Sequence, residues 1–252
     1  MVAQGVGRGE IAVLSACRGV EVQELRAEAA ACGVGVSSAE AERLVELLAL
    51  VWASPLGLTG IRNWVDGRRK HLVDSLAWLP FAGLAAGETL FDVGSGAGFP
   101  GLPAAVMTPS VGVTLVEANR RRCGFLRETV AKLGLSNVTV LEVRAEELAR
   151  ADATRERVDC VVARAVAPMV RLVEYLLPLC KVGGRVLMLK GPRWAEEWAM
   201  ASGVARRLGA GAMTCSEYAL PEGTGMRTVV RLEKERSTPS RYWSRARVTG
   251  QR

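Results

Sequence analysis

One stretch narrows the choice of fold more than any other. Thr89-Leu90-Phe91-Asp92-Val93 runs straight into Gly94-Ser95-Gly96-Ala97-Gly98-Phe99-Pro100-Gly101. An apolar β-type run ending in glycines at that density reads as a strand, a tight loop and the start of a helix. Gly94, Gly96 and Gly98 have no Cβ, so the backbone there can take positive φ and lie flat against a ligand. The helix that follows offers free N–H groups and the positive end of its dipole. The stretch is therefore expected to be the cofactor loop of an α/β fold.

Glycine spacing leaves two cofactors open. Counted from Gly94, a dinucleotide fingerprint wants a third glycine where Phe99 stands, whereas the shifted set Gly96, Gly98, Gly101 satisfies G-x-G-x-x-G. Asp92 separates the two by charge. A carboxylate at the strand end would repel the pyrophosphate of NAD or FAD but suits S-adenosyl-L-methionine, which carries a sulfonium, an ammonium and no phosphate.

Downstream, strand and helix signals alternate in the manner of a parallel sheet. Val111–Val116 reads as a second strand ending in Glu117, twenty-three positions beyond Gly94, where an acid bonds ribose hydroxyls in nucleotide-binding βαβ units. Asn119–Leu133 is a helix carrying Arg120, Arg121, Arg122 and Arg127, either a solvated face or one turned to RNA. Val138–Val143 is a third strand, expected beside the first, which would bring Ala145 and Glu146 to the adenine. Val158–Ala163 is a fourth strand and ends at Arg164, a charge that suits the site mouth and not a core. Pro168–Cys180 reads as a helix, Gly183-Gly184 as a turn, Arg185–Leu189 as a fifth strand ending in Lys190, and Arg193–Leu208 as a helix. Met213–Leu220 and Met226–Leu232 are expected to form an antiparallel edge hairpin.

The first twenty residues carry little periodicity. Helices are expected over Val20–Ala31, from the capping signature Ser37-Ser38-Ala39-Glu40 to near Pro55, and over Asp66–Leu79. The last of these holds His71, the chain's one histidine, which either packs its helix or touches the site as part of a lid.

In 252 residues, 49% hydrophobic content suffices for a large core. The formal charge of +7 suits a polyanionic partner. From Arg227 onward, eight basic residues against Glu233 and Glu235 give a net +6, with Tyr242 and Trp243 interleaved, a pattern suited to phosphate contact and base stacking. Six scattered cysteines without a C-x-x-C pair argue against a zinc site and for a reducing compartment, with Cys160 and Cys180 as buried apolar groups. No apolar run reaches the roughly twenty residues of a membrane span. A cytoplasmic monomer is expected, divided into an N-terminal helical region (1–84), a catalytic α/β domain (85–236) and a basic tail (237–252).

Asp92-Val93-Gly94-Ser95-Gly96-Ala97-Gly98-Phe99-Pro100-Gly101, Leu115-Val116-Glu117, Arg144-Ala145-Glu146, Ala163-Arg164-Ala165-Val166-Ala167-Pro168, Leu189-Lys190-Gly191 and Thr238-Pro239 with Tyr242 together resemble the RsmG (GidB) family of small-subunit ribosomal RNA methyltransferases. Upstream, Leu58-Thr59, Ile61-Arg62 and His71-Leu72-Val73-Asp74-Ser75-Leu76 resemble that family's N-terminal motif. The resemblance spans about residues 40 to 245; the first twenty residues fall outside it, and Trp243 stands where relatives usually have proline after the tail tyrosine. It implies a class I methyltransferase fold and methyl transfer from S-adenosyl-L-methionine to N7 of a guanine in the decoding-site loop of 16S rRNA. Family cofactor contacts map onto Gly94, Phe99, Ala145, Glu146 and Arg164, with Glu117 at the ribose.

Guanine N7 has an exposed lone pair, so the expected task is alignment and charge guidance without a general base. After the fourth strand there is no Asn- or Asp-Pro-Pro-aromatic box, which would favour exocyclic amine chemistry, and no Pro-Cys nucleophile. Arg144, Arg164 and Lys190 are the residues expected to position the guanosine, since a guanidinium can grip O6 or a phosphate bidentately.

Overall fold

The computed structural model describes residues 18–240 and Tyr242. Seven strands form one sheet: β1 (Thr89–Val93), β2 (Gly112–Glu117), β3 (Val138–Glu142), β4 (Val158–Arg164), β5 (Cys180–Lys190), β6 (Ala210–Leu220) and β7 (Gly225–Lys234). Their order is β3-β2-β1-β4-β5-β7-β6. The first five run parallel, and β7 and β6 close the edge as an antiparallel hairpin. The chain builds outward from β1 to β3, then returns to the other side of β1 as β4. The switch point between β1 and β4 is where strand ends splay and a ligand crevice forms.

Two helices precede the sheet, α1 (Arg18–Ala31) and α2 (Ser38–Ala53). The capping signature does what its sequence implies. The Ser37 hydroxyl accepts from Glu40 N–H while the Glu40 carboxylate accepts from Ser37 N–H. Helices α3 (Gly101–Met107), α4 (Arg120–Lys132), α5 (Met169–Leu176) and α6 (Trp194–Arg207) follow β1, β2, β4 and β5. Leu25, Leu44, Leu48 and Trp78 from the N-terminal region share one continuous core with Leu90, Leu102 and Leu115, so the helical region and one sheet face stand or fall together. Leu172, Leu176 and Ala205 fill the opposite face with Val161, Met188 and Val230.

Several sequence expectations need correction. Strand β3 pairs with β2, not β1, so Ala145 and Glu146 lie two strands away from the glycine loop's own strand. Gly183-Gly184 is no turn between elements but lies inside β5. Pairing to β4 passes from Val158↔Cys180 to Cys160↔Arg185, and the surplus residues are absorbed there as a bulge with Gly183 at φ 83°. The helix expected over 66–79 is broken. An α-turn at Trp64–Gly67 passes into a π-helix at Arg68–Val73, a short α-turn at Asp74–Leu76 and another at Leu79–Ala82. Helix α1 begins at Arg18, two residues before the expected start.

The basic run also divides differently. Lys234 is almost wholly buried and its Nζ donates to Leu177 O (3.0 Å), Leu208 O (2.7 Å) and Thr238 Oγ1 (2.6 Å), with the Glu156 carboxylate at 3.2 Å. Arg231 donates to Phe81 O (2.9 Å) and pairs with Glu233. These cations hold the fold and are not free for phosphate. The Tyr242 hydroxyl donates to Glu174 O, and Trp243 with Arg241, Arg245, Arg247 and Arg252 lies outside the described residues.

Removing the Lys234 ammonium strands a carboxylate and two carbonyls at the base of the edge hairpin. Lys234→Ala is expected to cost about 3–5 kcal/mol in denaturant unfolding. A loss below about 1 kcal/mol would mean that the buried contacts carry no stability.

Candidate active site

The glycine loop is fixed from beneath by Asp92. Alternation along β1 turns Leu90 and Asp92 to the same buried face. The fully buried Asp92 carboxylate accepts from Gly101 N–H at 2.9 Å, joining the end of β1 to the first residue of α3. The fit allows no side chain at 101, where a Cβ would stand 2.7 Å from Asp92 Oδ2 and would also strike Leu115. Gly94 (φ 78°) takes a left-handed turn beneath Val166, whose Cγ2 would lie 2.5 Å from a Cβ there.

This geometry favours the unshifted glycine register. The Gly101 N–H, at the start of α3, is taken by the Asp92 carboxylate and is not left for a phosphate at the helix N-terminus. The other Asp92 oxygen, Oδ1, is buried without a hydrogen-bond partner. Burial is the main cause that raises the Asp92 pKa to about 6, against the lowering effect of Gly101 N–H, so the group is mostly ionised at neutral pH. An ionised carboxylate buried beneath the loop acts on a ligand through its field, which favours a cation and opposes a phosphate.

Glu117 stands at the end of β2, as the spacing from Gly94 predicts. Its Oε2 accepts from Gly96 N–H (3.0 Å) and Oε1 from Asn119 N–H (2.7 Å), so the carboxylate is held against the loop with lone pairs to spare for hydroxyl donors. Ala145 and Glu146 begin a short helical turn after β3, and Glu146 accepts from the Tyr175 hydroxyl at 3.1 Å. The strand ends of β1, β2 and β3 thus place Asp92, Glu117 and Ala145-Glu146 in sequence along one edge of the sheet. That set fits S-adenosyl-L-methionine: a buried negative charge beneath the loop, a carboxylate with lone pairs for ribose hydroxyls and a half-buried turn beyond it.

Across the switch point stands Arg164, the last residue of β4. Its Nη1 donates to Asp74 Oδ2 (3.1 Å) and Lys70 O (3.3 Å), and its Cζ lies 5.7 Å from the centroid of the Phe99 ring. His71 stacks on the same ring, with centroids 4.8 Å apart and planes 7° off parallel. The π-helix sets this arrangement: it turns Arg68 and Arg69 to Glu28 of α1 while His71 faces Phe99. Burial first, and Arg164 second, depress the His71 pKa to about 4, so the ring is neutral at physiological pH. Its Nε2 shares a 2.7 Å hydrogen bond with Thr59 Oγ1.

Lys190 and Arg144 are placed less centrally. Lys190 Nζ donates to Ala167 O (3.1 Å) and pairs with Glu197 at 2.7 Å, bracing the loop that carries Ala165 and Val166. Arg144 is exposed at the start of the turn after β3. Among the described residues no cluster of His, Cys, Asp and Glu could hold a metal ion. Sequence reasoning placed Asp74 only in the family's N-terminal motif and Arg227 only in the basic run, and gave Tyr218 no role; in the structure the Tyr218 hydroxyl donates to Asp74 Oδ1 at 2.9 Å, and Arg227 Nε lies 3.4 Å from the same oxygen. Asp74 sits three residues from His71, a helical spacing that hinted at a shared face, but the strand partners are 144 and 153 residues further along and carry no local signal.

Because the folded pKa of Asp92 is raised, its protonated form stabilises the fold. That contribution is complete below the ordinary aspartate pKa of 3.8 and is lost as pH rises through about 6. Asp92→Asn should remove the dependence. Relative to the variant, wild-type unfolding free energy is expected to fall by about 3 kcal/mol between pH 3.5 and pH 7, read from denaturant curves; an unchanged difference would place the carboxylate in contact with solvent.

Comparisons with known proteins agree with this geometry. The sequence model of the family described as "GidB: rRNA small subunit methyltransferase G" matches residues 37–216. A ribosomal RNA small subunit methyltransferase G from Symbiobacterium thermophilum is 39% identical over 226 residues, covering 87% of this chain and 92% of its own. One from Deinococcus radiodurans is 40% identical over 220 residues, covering 86% and 87%. Among solved structures, a predicted O-methyltransferase from Agrobacterium tumefaciens superposes with a TM-score of 0.51 at 20% identity, over 64% of this chain and 78% of that one, a likeness of fold. A precorrin-6y C5,15-methyltransferase from Geobacter metallireducens gives 0.50 at 18% identity, over 64% and 87%. The sheet is thus of the class I methyltransferase type, and the chain belongs to the rRNA small subunit methyltransferase G (GidB) family.

Proposed function

We propose that this protein transfers a methyl group from S-adenosyl-L-methionine to N7 of a guanine in the decoding-site loop of 16S rRNA, acting on RNA or the small ribosomal subunit as a cytoplasmic monomer. One observation carries the choice of atom: among the described residues, no group around the switch point is available as a base. His71 is too weak a base, its pKa depressed to about 4, with Nε2 engaged to Thr59 and Nδ1 buried from solvent, and Asp92 is sealed beneath Gly101. Both Glu117 oxygens accept backbone N–H groups, and a guanidinium such as Arg164 does not deprotonate. An exocyclic amine loses a proton on methylation, whereas N7 has none to lose. When bound, S-adenosyl-L-methionine supplies an electrophilic methyl on its sulfonium.

The residues then divide the remaining work. Asp92 and Glu117 select a cationic, ribose-bearing donor. Phe99 and His71 wall the reacting edge with an apolar stack, which excludes water. Arg164 offers donors to guanine O6, beside N7, and so fixes the ring edge toward the methyl. Exposed Arg120 and Arg121 at the start of α4, which have no partner among the described residues, and Arg144 after β3 supply phosphate contacts on the same edge of the sheet.

Two measurements test this reading. With subunits from cells lacking the gene, the product should be N7-methylguanosine, revealed by aniline scission after borohydride reduction; a methyl on an exocyclic amine or ribose would overturn the choice of atom. Arg164→Ala should lower the rate of methyl transfer about 100-fold, as loss of an aligning contact does; an unchanged rate would remove Arg164 from the reaction.

A further inference from the structure

Arg164 does not hold its own position. Its hydrogen bonds run through Nη1 alone, to Asp74 Oδ2 and Lys70 O. Nη2 and Nε have no protein partner among the described residues, yet neither is sealed from solvent. Those are the donors left for a ligand. Asp74 is itself buried and accepts from Arg164 on Oδ2 and from the Tyr218 hydroxyl (2.9 Å) on Oδ1, with Arg227 Nε ion-paired to Oδ1 at 3.4 Å. The Tyr218 hydroxyl also lies 3.3 Å from Asp74 O. The carboxylate belongs to the N-terminal helical region, Arg164 to β4, and Tyr218 and Arg227 to the edge hairpin.

We propose that Asp74 is a positioning residue for methyl transfer, orienting Arg164 at the target base, and that Tyr218 and Arg227 of the edge hairpin hold Asp74 in place. This rests on the reading of Arg164 given above. One carboxylate facing two guanidinium groups leaves an unbalanced positive charge at the crevice, which favours an electronegative base edge or a phosphate. Tyr218 fixes the carboxylate's plane, and with it the direction in which Nη2 and Nε point. A guanidinium at a strand end without such a brace samples several rotamers, and each must be frozen out when substrate binds.

The test is a double-mutant cycle on methyl transfer to small subunits, with S-adenosylhomocysteine binding and thermal unfolding confirming that each variant folds. Asp74→Asn keeps the shape and loses the charge; kcat should fall about 10-fold or more, as expected from misplaced catalytic groups. Tyr218→Phe removes one hydroxyl and should lower kcat about 3-fold, with the stacked Phe81 ring contact left intact. In an Arg164→Lys background the same two changes should have little further effect, because the group they orient is already lost. Equal fold-losses in both backgrounds would make Asp74 structural and overturn the proposal while leaving the role of Arg164 standing. Full activity in Arg164→Lys and Arg164→Ala alike would instead overturn the Arg164 reading, and the proposal with it. Should Asp74→Asn fail to fold, the Tyr218→Phe pair decides by the same criterion.

Discussion

A single hydrogen bond, from Gly101 N–H to the buried Asp92 carboxylate, organises the site. It ties the end of the central strand to the start of α3, and it works only because residue 101 has no side chain to occupy that space. It gives the helix start an anion of its own, while other N–H groups of the loop are held by Val116, Ser95 and Glu117. A protein that spends its first helical N–H on an internal carboxylate has excluded pyrophosphate from that position. The ionised Asp92 carboxylate beneath the loop then favours a cation above it through its field.

The second half of the site is built from distant pieces. Strand order brings β4 beside β1, so Arg164 arrives opposite the glycine loop. The π-helix adds His71 from a region some ninety residues earlier, and the edge hairpin adds Tyr218 and Arg227. Because Leu44, Leu48 and Trp78 share a core with Leu90 and Leu102, the helical region is no detachable appendage. Its helices are part of the wall on which the reacting base would rest.

Much of this was legible in the sequence wherever function depends on local spacing. The strand-loop-helix at 89–101, the acid at Glu117, the Ser37 cap and the edge hairpin each declare themselves within a few residues. What could not be read there depends on contacts between distant residues. Nothing near Lys234 announces that four oxygens converge on its ammonium, so composition alone suggested a phosphate-binding cation. Lys190 was similarly expected at the guanosine, and its amine is paired with Glu197 seven residues on. The π-turn at Arg68–Val73 escapes a 3.6-residue periodicity because it inserts one extra residue per turn. The neighbour of β3 depends on which side of β1 the chain returns to.

Binding selectivity of the purified protein tests the central claim most directly. A sulfonium site above Asp92 predicts saturable, one-to-one heat in titration calorimetry with S-adenosylhomocysteine and none with NADH. Heat with NADH and silence with S-adenosylhomocysteine would contradict it, and would mean that the buried carboxylate does not choose the cofactor.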